Sequence, residues 1–177
     1  MSKKRFCQRI GGDCPHVISK NKKNCFIMMA YNHPYSPKIE AILKRAIKLA
    51  FKLKPELAKN IKQTQSGDMY CKTVCRPINE ATLCIADFTY NNSNVGFEFG
   101  IAQGMDKPVI VTRYMPKEVK LTKAEKSFLK KVRLKGAIQY SEVPYNIPAD
   151  ISGIFRVDYS NEDELKKKLK EGFKIKK

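Results

Sequence analysis

Ala86-Asp87-Phe88-Thr89-Tyr90-Asn91-Asn92-Ser93-Asn94-Val95-Gly96-Phe97-Glu98-Phe99-Gly100-Ile101-Ala102-Gln103 joins a strand to a helix. The apolar run from Thr82 to Ala86 predicts a strand that ends on Asp87. The Asn-rich segment after it predicts a turn. Val95 to Met105 predicts a helix closed by Gly104. That helix is apolar on nearly every side, a pattern that predicts burial. Glu98 interrupts it near the first turn. Open α/β sheets bind ligands at the carboxyl ends of their strands. A carboxylate in that setting is a candidate for chemistry.

Glu98 also has a structural explanation to answer. Acidic residues suit the first helical turn, where they complement the dipole or complete a capping box. The box needs Ser, Thr, Asp or Asn three residues earlier, and that position is Val95. Caps at Ser93 or Asn94 would pair with Gly96 or Phe97, neither of which can reciprocate. A carboxylate among apolar neighbours needs partners or takes a raised pKa. These residues favour a functional role for Glu98 over a purely structural one.

Outward from this stretch, strands and helices alternate. Cys25 to Tyr31 is a short continuous apolar run, as in a buried parallel strand. Ser36 and Pro37 open a helix whose apolar positions run from Ile39 to Phe51, with Pro55 ending it. Asn60 to Gln65 predicts a second strand, Met69 to Ala81 a second helix, and Pro108 to Thr112 a fourth strand. Thr122 to Glu125 is a capping-box signature, so Lys123 to Arg133 is expected to be helical. Residues 114–150 otherwise read as a lid or insertion. Ile154 to Tyr159 is the last strand, and Glu162 to Gly172 a terminal helix opened by Ser160 with Asp163. The pattern predicts a doubly wound parallel sheet of about five strands in flavodoxin-like order, with helices on both faces. Residues 1–24 form a basic, cysteine-containing arm ahead of a single α/β domain at 25–177. Neither GxGxxG nor GxxxxGK[ST] occurs, so a dinucleotide Rossmann or P-loop assignment is unsupported.

The chain has 177 residues, 42% of them hydrophobic, enough for a real core. No apolar run is long enough to span a membrane, and no signal-peptide core follows the basic start. A cytoplasmic protein is expected. The net charge is +18, from 35 Lys+Arg against 17 Asp+Glu. Such a field favours polyanions and phosphorylated ligands. Lysine dominates and aromatics are not interleaved with it, so most of this charge reads as solvated surface. Weak, nonspecific nucleic-acid binding stays open.

The strand, turn and helix around Asp87 resemble the nucleoside 2-deoxyribosyltransferase superfamily, with its deoxynucleotide N-glycosidase and TIR-like relatives. The matching residues are Ala86-Asp87-Phe88-Thr89, Asn94-Val95-Gly96-Phe97-Glu98-Phe99-Gly100-Ile101-Ala102 and Lys107-Pro108-Val109-Ile110, with Cys25 to Ala30 as the first strand. The resemblance covers about residues 25 to 113. It implies that Glu98 attacks or stabilises the anomeric carbon of a nucleoside or nucleotide and that Asp87 contacts the base. A structural role for Asp87, holding its loop, is the alternative. Asn92 falls where deoxyribosyltransferases often carry an aspartate and the nucleotide hydrolases a phosphate-contacting serine; here Ser93 stands one place later. Tyr31, Asp68, Thr89, Asn92, Ser93 and Asn94 are the candidate substrate-binding residues. His33 is a candidate general acid, and Lys107 and Arg113 would suit a phosphorylated substrate. The implied chemistry requires no cofactor, and pockets in this family are often completed by a neighbouring subunit.

Six cysteines in a cytoplasmic chain are more often reduced, catalytic or metal-bound than disulfide-bonded. Cys25 and Cys84 lie in strand patterns and read as small core residues. Cys71 and Cys75 are one helical turn apart; with Cys7 and Cys14 they form a candidate structural zinc set, free or core cysteines being the other reading. Three functions remain: an enzyme acting on N-glycosidic bonds, a TIR-like nucleotide sensor without turnover, and a basic nucleic-acid-associated protein.

Overall fold

The computed structural model describes residues 6–7, 12–13, 22–33, 35–58, 71–90, 92–115 and 156–173. Two short strands, β1 (Phe6–Cys7) and β2 (Gly12–Asp13), pair antiparallel. The main sheet is built from β3 (Lys22–Met28), β4 (Lys54–Leu57), β5 (Ala81–Asp87), β6 (Val109–Tyr114) and β7 (Arg156–Tyr159). Its order is β4-β3-β5-β6-β7, and every pair is parallel. This is the flavodoxin-like arrangement, with the direction of winding reversing between β3 and β5.

Two cores lie on opposite faces of that sheet. Helix α1 (Ser36–Phe51) and helix α4 (Glu162–Gly172) pack together on one face, over Ile27, Ile85, Ile110, Val157 and Tyr159. Helix α2 (Arg76–Glu80), which follows a π turn at Cys71–Cys75, and helix α3 (Ser93–Gly104) cover Phe26, Met28, Cys84, Ala86 and Val111 on the other. Strand alternation divides neighbouring residues between the two faces. Cys25 and Cys84 are both fully buried, the small core residues their pattern predicts. Burial pushes the Cys84 thiol up to about 12.

Several boundaries differ from the sequence expectations. β3 starts at Lys22, inside the segment read as an arm, because Lys22, Lys23 and Asn24 carry no apolar signal. The second strand of the sheet forms at Lys54–Leu57, where only a helix end was expected. Residues 60–65 lie outside the described residues. β4 is an edge strand, where a proline such as Pro55 need not supply a ladder hydrogen bond. Ser36 does not precede α1 as a cap but is its first residue, with Tyr35 in the cap position. The Ser36 hydroxyl accepts from the His33 amide at 3.3 Å. α4 is capped by Asn161, whose side chain accepts from the Glu164 amide, one residue later than Ser160 and Asp163 predict. The expected helix at 123–133, and residues 116–150 of the expected lid, lie outside the described residues. No helix among the described residues is long and apolar enough to cross a membrane.

Candidate functional site at the carboxyl edge of the sheet

Asn92 sets the geometry of α3. Its backbone is extended (φ −136°, ψ 117°), and its side-chain oxygen accepts from the amides of Asn94 at 2.9 Å and Val95 at 3.3 Å. This is side-chain capping of otherwise unpaired helix amides. The helix therefore begins at Ser93, and Glu98 falls in its second turn, not near the first as the sequence suggests. The dipole explanation for an acidic residue weakens with that shift, since the effect fades beyond the first turn. Ser93 and Asn94 are exposed at the helix start.

Glu98 lies between Val95 and Ala102 at helical spacing, and both of those are buried in the core beneath α3. It is half-buried itself. Among the described residues it makes no hydrogen bond or ion pair. Burial alone pushes its carboxyl up to about 7. The expectation that α3 is buried all round is corrected. Only Val95, Phe99 and Ala102 are buried, while Gly96, Gly100 and Gly104 face open space and Phe97 is 55% exposed. Apart from Ser93, Asn94, Phe97 and Gln103, the exposed side is glycine, which has no side chain to bury.

Asp87 sits differently. It is 2% exposed, and its alternation with Ile85 turns it toward the α1 and α4 face. One carboxylate oxygen accepts from the Thr89 amide at 3.1 Å. The other accepts from the hydroxyls of Thr112 at 2.8 Å and Tyr159 at 3.2 Å. Burial raises its pKa, and the hydrogen bonds from Thr89, Thr112 and Tyr159 oppose that rise. Thr89 is buried as well, and its hydroxyl oxygen accepts from the Tyr114 amide at 2.8 Å. Asp87 and Thr89 thus tie together the carboxyl ends of β5, β6 and β7. Tyr159 takes a pKa well above the usual phenol value, through burial and the adjacent Asp87.

A row of rings crosses the same edge. His33 stacks on Tyr90 and, more distantly, on Tyr35. Tyr35 tilts against Tyr114, and Tyr114 against Tyr159. Lys38 places its ammonium 5.5 Å from the centre of the Tyr114 ring. Tyr31 is half-buried against the α1-side core. The row was not anticipated as a unit; Tyr159 at the end of the last expected strand and Tyr114 two residues past the fourth were its visible signals.

The remaining expected residues divide. Asp68, Cys14 and Asn91 lie outside the described residues. Cys7 lies on β1. Cys71 and Cys75 mark the two ends of the π turn, and none of Cys25, Cys71, Cys75 and Cys84 is in a disulfide. Among the described residues no three His, Cys, Asp or Glu side chains gather as a metal site. Lys107 does not approach the carboxyl edge. Its ammonium donates at 3.0 Å to the carbonyl of Ala81, which begins β5 at the other end of the sheet. Arg113 does stand at the carboxyl edge, where it pairs with Asp158 alongside Arg156, a grouping the sequence reading missed.

No protein-family model matches the chain, and no curated protein does. Among solved structures it is similar to the 2-desoxiribosyltransferase from Leishmania mexicana, at 15% sequence identity and a TM-score of 0.51 over 86% of this chain and 100% of that one. The likeness is one of fold, and in this chain that fold is a five-stranded parallel α/β sheet.

Proposed function

We propose that this chain cleaves, or transfers at, the N-glycosidic bond of a nucleoside or nucleotide. The observation that carries the proposal is Glu98: a half-buried carboxyl without a partner among the described residues, on the helix that follows the central strand. The fold it shares with a deoxyribosyltransferase supports the same reading. As the base departs with the bonding electron pair, positive charge builds on the sugar. A carboxylate held in a poorly solvated place stabilises or traps that charge better than one in water. Water or a second base then takes the sugar. Asp87 and Thr89 act at one remove in this scheme. Their buried hydrogen bonds hold the loop that delivers Asn92 and α3. Ser93 and Asn94, exposed at the head of α3, are the candidate substrate contacts on that helix.

The test is chromatographic detection of free base from a panel of nucleosides and deoxynucleotides. Glu98→Gln keeps the size and polarity of the side chain and removes its charge. A loss of at least about a hundredfold in turnover is expected, with the fold intact by circular dichroism. Equal release by the variant and the parent would refute the assignment. Binding of a nucleotide without any turnover would point to a sensor.

A further inference from the structure

Arg113 on β6 and Asp158 on β7 are direct register partners at the carboxyl edge of the sheet. Val111 belongs to the core under α3, so alternation puts Arg113 on that same face. Arg156 and Asp158 alternate with Val157 and Tyr159, which join the opposite core, so they share the α3 face too. Arg113 donates to the two Asp158 carboxylate oxygens from Nε at 3.1 Å and Nη2 at 2.8 Å. Arg156 donates to the same two oxygens at 2.7 Å and 3.2 Å. Two guanidinium forks grip one carboxylate.

This arrangement is over-supplied with positive charge. Partial burial opposes ionisation of Asp158, but the hydrogen bonds and charges of Arg113 and Arg156 outweigh it and hold the carboxyl below its ordinary range. One full negative charge therefore faces two positive ones. Each guanidinium carries more N–H donors than Asp158 can accept, and neither has another acceptor among the described residues. The side chains are 13% (Arg113), 30% (Arg156) and 36% (Asp158) exposed, so water reaches the pair only partly. One arginine is enough to neutralise Asp158, so the second leaves the trio with one positive charge in excess and with donors that an anion can use. Planar, forked donors suit the oxygens of a phosphate. Glu98 pairs with neither arginine. The α3 face thus carries a cationic clamp and, separately, an uncompensated carboxyl.

We infer that Arg113 and Arg156, braced by Asp158, form a binding subsite for the phosphate of a phosphomonoester. The identity of that ligand as a nucleoside monophosphate rests on the function proposed above; the subsite itself does not. Inorganic phosphate is titrated into the protein at constant ionic strength, with binding read by calorimetry and by thermal shift. Saturable binding is expected, weakened about tenfold or more in Arg113→Gln and in Arg156→Gln. Arg156 is the more exposed arginine, so its variant reports even where Arg113→Gln fails to fold. A deoxynucleoside 5′-monophosphate should bind at least about tenfold more tightly than its nucleoside, and Arg156→Gln should erase the difference. Unchanged phosphate binding in a folded Arg156→Gln, or no saturable binding by the parent, makes the trio a structural ion pair and overturns the proposal. Glu98→Gln should keep phosphate binding. A protein that binds phosphate through these arginines yet releases no base would sink the glycosidic reading alone.

Discussion

Glu98 couples stability to pH in an unusual direction for a carboxylate. Its folded-state value of about 7 lies above the ordinary 4.5. Between those values the native state keeps a proton that the unfolded chain has lost. Stability therefore falls as pH rises through that window and is level above it. Glu98→Gln removes the slope. It should be more stable than the parent by about 1–3 kcal/mol near pH 8 and equal to it near pH 4, by urea denaturation at each pH. A variant with no gain at high pH would show that the folded protein already compensates the charge. If the ionised form carries out the chemistry, kcat/KM for base release should rise with pH through about 7. Burial raises the Asp87 pKa as well, but this carboxylate has partners that depend on it. Asp87→Ala orphans the hydroxyls of Thr112 and Tyr159 and the Thr89 amide inside the protein, a loss of about 3 kcal/mol or more. Tyr159→Phe removes a single bond and should lose only about 1 kcal/mol, measured in the same denaturation series.

Elements show how a few residues place the site. Asn92 fixes where α3 begins, and with it the turn on which Glu98 falls. Asn92→Ala should cost about 1 kcal/mol, while Asn92→Asp, which can cap the same amides, should cost little. At the end of α1, Lys52 holds a left-handed backbone (φ 56°, ψ 28°) and its amide bonds the Lys48 carbonyl. A residue with a Cβ is strained there, so Lys52→Gly should raise stability by about 0.5–1 kcal/mol in thermal unfolding. A long apolar period was readable in α1, and α4 occupies the range read from its opening residues, although Asn161 caps it. β4 was not, because Lys-Pro-Glu-Leu has no strand pattern of its own and becomes a strand only by lying beside β3. α3 was found, but its start slipped by two residues, since three asparagines compete as caps and only backbone geometry selects one.

At the scale of the whole molecule, the net charge of +18 works against compactness. Sodium chloride screens that repulsion, so the unfolding midpoint should rise between about 0.02 M and 0.3 M salt. A midpoint indifferent to salt would mean that local pairs such as Arg113 with Asp158 already offset the field. The same charge favours weak nucleic-acid binding. That association, if present, should fall steeply with salt and ignore Glu98→Gln, unlike any nucleotide turnover.

Apolar runs separated by helical periods were sufficient to specify a parallel α/β sheet, because strand burial and helix amphipathicity are local properties of the chain. Glu98 was legible for the same reason: a charge within an apolar helix stands out in one dimension. The brace at Asp87 and the double clamp on Asp158 were not. Asp87 meets partners 25 and 72 residues away, and Arg113 meets Asp158 across 45 residues. Only the folding of β5, β6 and β7 side by side brings those groups within hydrogen-bonding distance, and no local pattern encodes who stands beside whom.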